Sequence, residues 1–357
     1  MNCFFRRLRL RARVNAPRNR RFDASAKPQA AFGTMNNKTL QPYLWILISG
    51  FAFSWMVAFT KLAGSAANWQ MLAIARCAIP FVLIALWARW DGVPLIFFGP
   101  RILWIRSLAG SCSLVCTFYV LSTQMPISDL YTISNIFPIW VALLSWPMLG
   151  RLPSGAVWVS ILCSVAGVAL IQGGQIQSGS YEALIVVGVS LFTAIAMIGL
   201  NQLKNLDPRA VVVHFSGTAL AVSLLCAYFL PWETPTSELD AANLLELLGV
   251  GVTASIGQFF LTKAFTAGDP AKMSVASLSQ IVFVFALDLF ILQTPFDWSK
   301  IWGIPLILGP TVWLMTRRLK TSALVPEPLV VPSEPIPAVE TAWAGRDDSV
   351  VSSESKS

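Results

Sequence analysis

Ten apolar runs of about 20 residues fill most of the chain, and each is long enough to cross the hydrocarbon of a bilayer as a helix. A backbone surrounded by lipid must pair its own N–H and C=O groups, so such runs can only be helical or part of a closed barrel. The runs lie near residues 43–63, 68–89, 103–124, 127–149, 154–172, 181–203, 208–230, 243–266, 270–293 and 299–316. They predict an all-α integral membrane protein with ten transmembrane helices. Charge agrees with this. Only 12% of the 357 residues are charged, against about 25% in a soluble domain. Much of that charge sits in residues 1–40 and 317–357.

The ends of the runs carry helix-starting chemistry. Asp207-Pro208 and Asp269-Pro270 each place a capping carboxylate before a proline at the first helical position. Trp45, Trp69, Trp87, Trp90, Trp104, Trp146, Trp232 and Trp298 stand near run ends, where interfacial aromatics belong. Loop charge alternates. Arg89–Arg106, Arg151, Lys204–Arg209, Lys263–Lys272 and Arg317–Lys320 are basic, whereas Gln124–Pro126, Gln172–Ser180 and Pro231–Asn243 hold no lysine or arginine. Glu233, Glu238 and Asp240 make the last of these acidic, and Lys61 and Lys300 are the exceptions to the pattern. Basic loops stay cytoplasmic, so both termini are expected inside a cell inner (plasma) membrane.

Residues 1–41 are expected to form a disordered basic cytoplasmic head and residues 319–357 a disordered tail rich in Pro, Ser and Glu. Met35, just before the first run, offers an alternative start. The net charge of +8 comes from this head and the loops, not from a basic face, so no nucleic-acid partner is expected. Cys3, Cys77, Cys112, Cys116, Cys163 and Cys226 form no C-x-x-C pair, and His214 stands alone, so neither a metal nor another cofactor is predicted.

Residues 42–173 and 180–318 read as two five-helix halves. At a constant shift of 144 residues Pro126 meets Pro270, Ala142 meets Ala286, and Trp158 meets Trp302. Each half has an odd number of helices, so the second must insert upside down. An inverted repeat of this kind is a transporter architecture with its site near the bilayer midplane.

The stretch Arg106–Ile171 resembles the EamA-type domain of the drug/metabolite transporter superfamily. The resemblance rests on RSLAGSCSLVCTFYVLSTQMPISDLYTISNIFPIWVALLSWPMLGRLPSGAVWVSILCSVAGVALI, with its short turn at Gln124–Pro126 and Pro138 inside the fourth run, and on MLAIARCAIP around Arg76. It implies ten helices in two repeats over roughly residues 42–318 and alternating-access transport of a small organic solute. Arg151 stands where the family often has glutamate, Thr294 and Pro295 occupy the corresponding place in the second half, and Val282 stands opposite Pro138.

Polar groups inside a span are costly and therefore mark function. Arg76 is the first candidate, as a ligand for a carboxylate or phosphate. Ser134 and Asn135 stand a turn before Pro138, with Leu278 and Ser279 as their counterparts in the second half and Gln280 alongside. Tyr131, Gln258 and Trp55 are further candidates for cavity lining, and Ser54 a weaker one. Asp288 and His214 are candidates for proton coupling, with Lys300 or Arg76 as counter-charges to Asp288. The chain lacks a phosphate loop, an H-E-x-x-H pair and a G-x-S-x-G elbow. An enzyme, scaffold or channel is thus disfavoured against a secondary transporter, monomeric or homodimeric, whose partners are a small solute and lipid. The solute is an amino acid or another carboxylate- or phosphate-bearing metabolite, or in the alternative a cationic drug or toxic metabolite.

Overall fold

The computed structural model describes residues 37–324 apart from 65, 124, 151, 174–180, 232–239, 292 and 294–297. Most of the expected head and tail, together with Gln124, Arg151, Trp232, Glu233, Glu238, Thr294 and Pro295, lies outside the described residues. Among the described residues there is no strand. The helices are α1 (Asn37–Ala63), α2 (Trp69–Trp90), α3 (Arg101–Leu121), α4 (Ile127–Ser134), α5 (Phe137–Leu149), α6 (Gly155–Gln172), α7 (Tyr181–Gln202), α8 (Pro208–Phe229), α9 (Ala241–Ala267), α10 (Pro270–Ser277), α11 (Ser279–Phe290) and α12 (Gly303–Leu324).

Nine helical segments among the described residues are long and apolar enough to span a membrane, counting α4 with α5 and α10 with α11. The tenth expected run gives α12, preceded by a 3-10 turn over Trp298–Trp302. Its apolar part stops before Arg317, Arg318 and Lys320, so it falls short of a full apolar span. Leu184, Leu225, Leu245 and Phe290 lie on the outer surface of the bundle. Such a surface would associate in water, and lipid is its natural solvent. The chain is a multi-pass membrane protein.

The helix starts follow the local chemistry. The Asp207 carboxylate accepts from the Arg209 backbone N–H at 2.8 Å and from the Arg209 guanidinium Nε at 3.1 Å. The Arg209 side chain holds the Asp207 carboxyl below the usual carboxylate range. A group lowered in this way contributes its capping at neutral pH and loses it as pH falls through the lowered value. Asp269 accepts from Lys272 N at 3.2 Å, and Asp240 with Asn243 forms a capping box.

The fourth and ninth runs are each broken. Between α4 and α5 the Asn135 amide donates to the Tyr131 carbonyl, and the chain tightens into i−3 bonds at Ile136 and Ile139. Pro138, without an N–H, then opens α5. The break between α10 and α11 at Leu278 has no proline. There the Ser274, Ser277 and Ser279 hydroxyls bond the carbonyls of Ala271, Ser274 and Ala276, three residues back. Such bonds compete with the helical ladder.

α1 packs along α9, and α3 along α7. α2 packs on α8, and α6 on α12. α3 also touches α8, as α2 touches α9. At the α6–α12 crossing a Cβ on Gly167 would lie 2.8 Å from the Gly303 carbonyl oxygen, and one on Gly303 would lie 2.5 Å from that of Gly167. Close backbone approach of this kind replaces the hydrophobic effect as the cohesive force between helices in lipid.

Candidate functional site

Two cavities lie along one face of α1. The central one, about 180 Å³, touches both helix breaks: Asn135 and Phe137 at one, Ser277 and Gln280 at the other. Ser49, Phe53 and Thr193 contribute from α1 and α7. The larger, about 460 Å³, opens where α1 meets α2 and is lined by Thr60, Lys61, Asn68, Trp69, Ser122 and Tyr131. Ile46, Ser49, Gly50 and Phe53 line the first cavity, and Val57, Thr60, Lys61 and Gly64 the second. This i, i+3, i+4 series is a single helical stripe. α4 continues the same path, with Tyr131 in the larger cavity and Asn135, one turn later, in the central one.

Arg76 is buried in α2 at 7% exposure. Its Nη2 lies 3.5 Å from Gln258 Oε1, the limit of a hydrogen bond, and its guanidinium lies 5.3 Å from the Phe53 ring centroid. Gln258 Nε2 has no hydrogen-bond partner among the described residues. Phe53 packs on the bare backbone of Gly257, whose carbonyl also accepts from Ser49 at 2.8 Å. Phe53 therefore separates Arg76 and Gln258 from the central cavity by the width of one ring.

Asp288 meets neither Lys300 nor Arg76. Both of its oxygens accept from Lys61 Nζ at 2.7 Å, which ties α11 to α1 beside the larger cavity. The sequence showed Lys61 only as a charge on the wrong side, because its partner is 227 residues away. His214 Nδ1 lies 2.8 Å from Ser107 Oγ, and the ring meets Trp104 edge-on at 4.7 Å. Ser134 donates to the Tyr131 carbonyl at 3.2 Å, within its own helix. Ser134 and Trp55, which lies beside Phe59, are not among the residues lining either cavity. Trp69 is buried against Tyr119 and lines the larger cavity, where the sequence suggested an interfacial anchor. Arg106 belongs to the buried part of α3, not to the basic loop.

The Lys61–Asp288 pair gives a first test. Lys61→Met and Asp288→Asn should each destabilise the protein by about 1–2 kcal/mol, between the exposed and buried limits for an ion pair. The double variant should recover part of that loss in a thermal-melting double-mutant cycle. Strictly additive losses would show that the pair has no coupling.

Residues 180–316 match the EamA-like transporter family. Over 241 residues the chain is 29% identical to the pseudopaline exporter CntI of Pseudomonas aeruginosa, covering 67% of this chain and 84% of that protein. It is 22% identical over 295 residues to solute carrier family 35 member G1 of Homo sapiens, covering 77% of this chain and 78% of the other. A crystal structure matches with a TM-score of 0.65 at 18% identity, over 78% of this chain and 98% of that one. That likeness carries the fold alone.

Proposed function

Given that the chain is an EamA-type member of the drug/metabolite transporter superfamily, a secondary transporter of a small metabolite and not an enzyme, we propose that its solute is a small organic anion. The carrying observation is Arg76, a buried guanidinium in an apolar span that among the described residues meets an amide at 3.5 Å and an aromatic ring but no carboxylate. An arginine at such depth needs a counter-charge or water. A carboxylate or phosphate in the central cavity would supply the charge once Phe53 turns aside. Asn135 and Gln280 would meet the solute's remaining polar groups from the two helix breaks. Tyr131 and the Lys61–Asp288 pair would stand on the route to it.

The mechanism we infer is alternating access by ten helices in two inverted halves, residues 42–173 and 180–318, with α12 as the tenth. Three features support it. The fourth and ninth runs are both broken at the central cavity. α1 on α9 has its counterpart in α7 on α3, and α3 on α8 in α9 on α2. Pro126 and Pro270 open the two broken runs. Both termini would be cytoplasmic in a cell inner membrane, which places the larger cavity on the outer side. The likeness to a named exporter favours export. Asp288 is already engaged by Lys61 and His214 by Ser107, so exchange or uniport is favoured over proton coupling. Lipid and the solute are the partners proposed, for a monomer or homodimer.

Counterflow tests this. Proteoliposomes preloaded with an unlabelled anion should accumulate the labelled anion transiently, and neutral or cationic analogues should not compete. Competition by cations alone would overturn the anion reading in favour of a cation exporter. A membrane-impermeant maleimide should label Ser122→Cys in a cysteine-free background from outside intact cells, and Arg89→Cys only after permeabilisation. The reverse pattern would overturn the orientation.

A further inference from the structure

α2 and α9 run side by side in the same direction. Ile79 packs into the notch at Gly251, where no Cβ stands in its way. About two turns further along both helices, the Trp87 and Phe259 rings meet at 4.8 Å between centroids. Between these two contacts a groove of about 290 Å³ opens. Leu83 and Trp87 form one wall, and Val252, Ile256, Phe259 and Phe260 the other. Leu83, Trp87, Val252 and Ile256 are all exposed, so the groove opens sideways onto the outer surface of the bundle. Ser255 is the polar residue in the α9 wall, and its hydroxyl donates to the Gly251 carbonyl of its own helix at 2.7 Å. The walls suit a hydrocarbon chain.

One end of the groove is charged. Val252, Ile256, Phe259 and Phe260 follow a helical stripe, and Lys263 is its next member. The Lys263 Nζ lies 5.3 Å from the centroid of Phe259, a wall of the groove, and 4.5 Å from that of Trp45 on α1. A ring face attracts a cation without neutralising it. Among the described residues no carboxylate pairs with Lys263. Arg209 stands 5.1 Å from the centroid of Trp87 on the other wall, but Asp91 and Asp207 engage it. On α2 the stripe through Leu83 and Trp87 runs on to Trp90, one turn later. Trp90 is 91% exposed, and its indole N–H is a donor at the same end as Lys263.

We propose that this groove holds one anionic phospholipid, with an acyl chain between α2 and α9 and its phosphate on Lys263 Nζ and the Trp90 indole N–H. Shape and charge select this occupant. A helix of a second copy is about 10 Å across with its side chains, too broad to enter a space of about 290 Å³. A flexible acyl chain fits it. The unpaired ammonium calls for an anion, and basic pockets between spans bind anionic head groups. A zwitterionic lipid would fill the groove as well but brings its own cation beside the phosphate. None of the residues lining the groove lines either cavity along α1, so the site is separate from the solute path and independent of the solute's charge. In the orientation proposed above, the Lys263 end faces the cytoplasmic leaflet, where anionic lipid gathers basic residues.

The test is native mass spectrometry of the full chain released from vesicles of equal phosphatidylglycerol and phosphatidylcholine. The wild-type protein should retain one phosphatidylglycerol in about fivefold preference to phosphatidylcholine, the effect of one basic residue near an anionic lipid. Lys263→Gln should bring that preference close to one, and Lys263→Arg should keep it. Ile256→Trp fills the groove from its exposed side and should lose the retained lipid of both kinds. Glycerol phosphate, a head group without chains, should not displace the phosphatidylglycerol. Equal retention of the two lipids by the wild type overturns the proposal, as does an unchanged preference in Lys263→Gln. Displacement by glycerol phosphate makes this a site for free phosphate and overturns the lipid. A lipid-free dimer that Ile256→Trp splits gives the groove to a second copy and overturns it too. If Ile256→Trp fails to fold, the two Lys263 variants decide the matter by themselves.

Discussion

Arg76→Gln is expected to cut the initial rate of anion uptake about a hundredfold, since a contact to a charged group is worth roughly 1.5–3 kcal/mol and each 1.4 kcal/mol is tenfold. Glutamine keeps much of the length and polarity of the side chain but cannot neutralise an anion. Arg76 has no ion-pair partner among the described residues, so its removal breaks no salt bridge. Its contacts with Gln258 and Phe53 are an amide at the distance limit and a ring at 5.3 Å. The variant should therefore reach the membrane in normal amount and keep its melting temperature. The measurement is initial uptake per reconstituted protein, with Arg76→Lys as a partial rescue. Wild-type rates in Arg76→Gln would remove Arg76 from the transport path. Loss of folded protein would make it a structural residue.

The second large effect concerns the α6–α12 crossing. Gly303→Leu should destabilise the protein by about 3 kcal/mol, the upper range for overpacking. The added Cβ alone would lie 2.5 Å from the Gly167 carbonyl oxygen and from Ile171 Cγ1. The oxygen belongs to the backbone, so no rotamer relieves the contact and the helices must separate. Gly309→Ala on the same helix is the control. Nothing lies within 4 Å of a Cβ there, and alanine favours a helix over glycine by about 1 kcal/mol. Melting in detergent micelles should show a large fall for Gly303→Leu and none for Gly309→Ala. Equal behaviour of the two would mean that the crossing tolerates separation.

The two arginines show how far the sequence could be read. Arg76 was legible because it interrupts an apolar run on both sides. Arg106 was not, because it follows Arg89 and Arg101 and looks like the end of a basic loop. The difference is five residues of helix, about 8 Å of depth. Asn135 was legible through its nearness to Pro138, which weakens the helix at that point. The matching break at Leu278 had no proline to announce it and depends on three serines bonding backward. Asp288 stood out as a charge in a span, but its partner Lys61 belongs to the other end of the chain.

By itself the sequence determined that the chain spans a membrane as helices, and nearly where each begins and ends. Length, apolar content and capping are properties of one short segment, and lipid leaves a helix as the available way to pair its backbone. Only the tertiary structure decided which way each helix faces. In a soluble protein water selects one polar face, and the pattern of residues reveals the inward side. In lipid both sides of a helix can be apolar, and the inward side is set by small residues such as Gly167 and Gly303 that let backbones meet. That rotation put Phe53 between Arg76 and the central cavity, joined Lys61 to Asp288, and buried Arg106 without a counter-charge among the described residues.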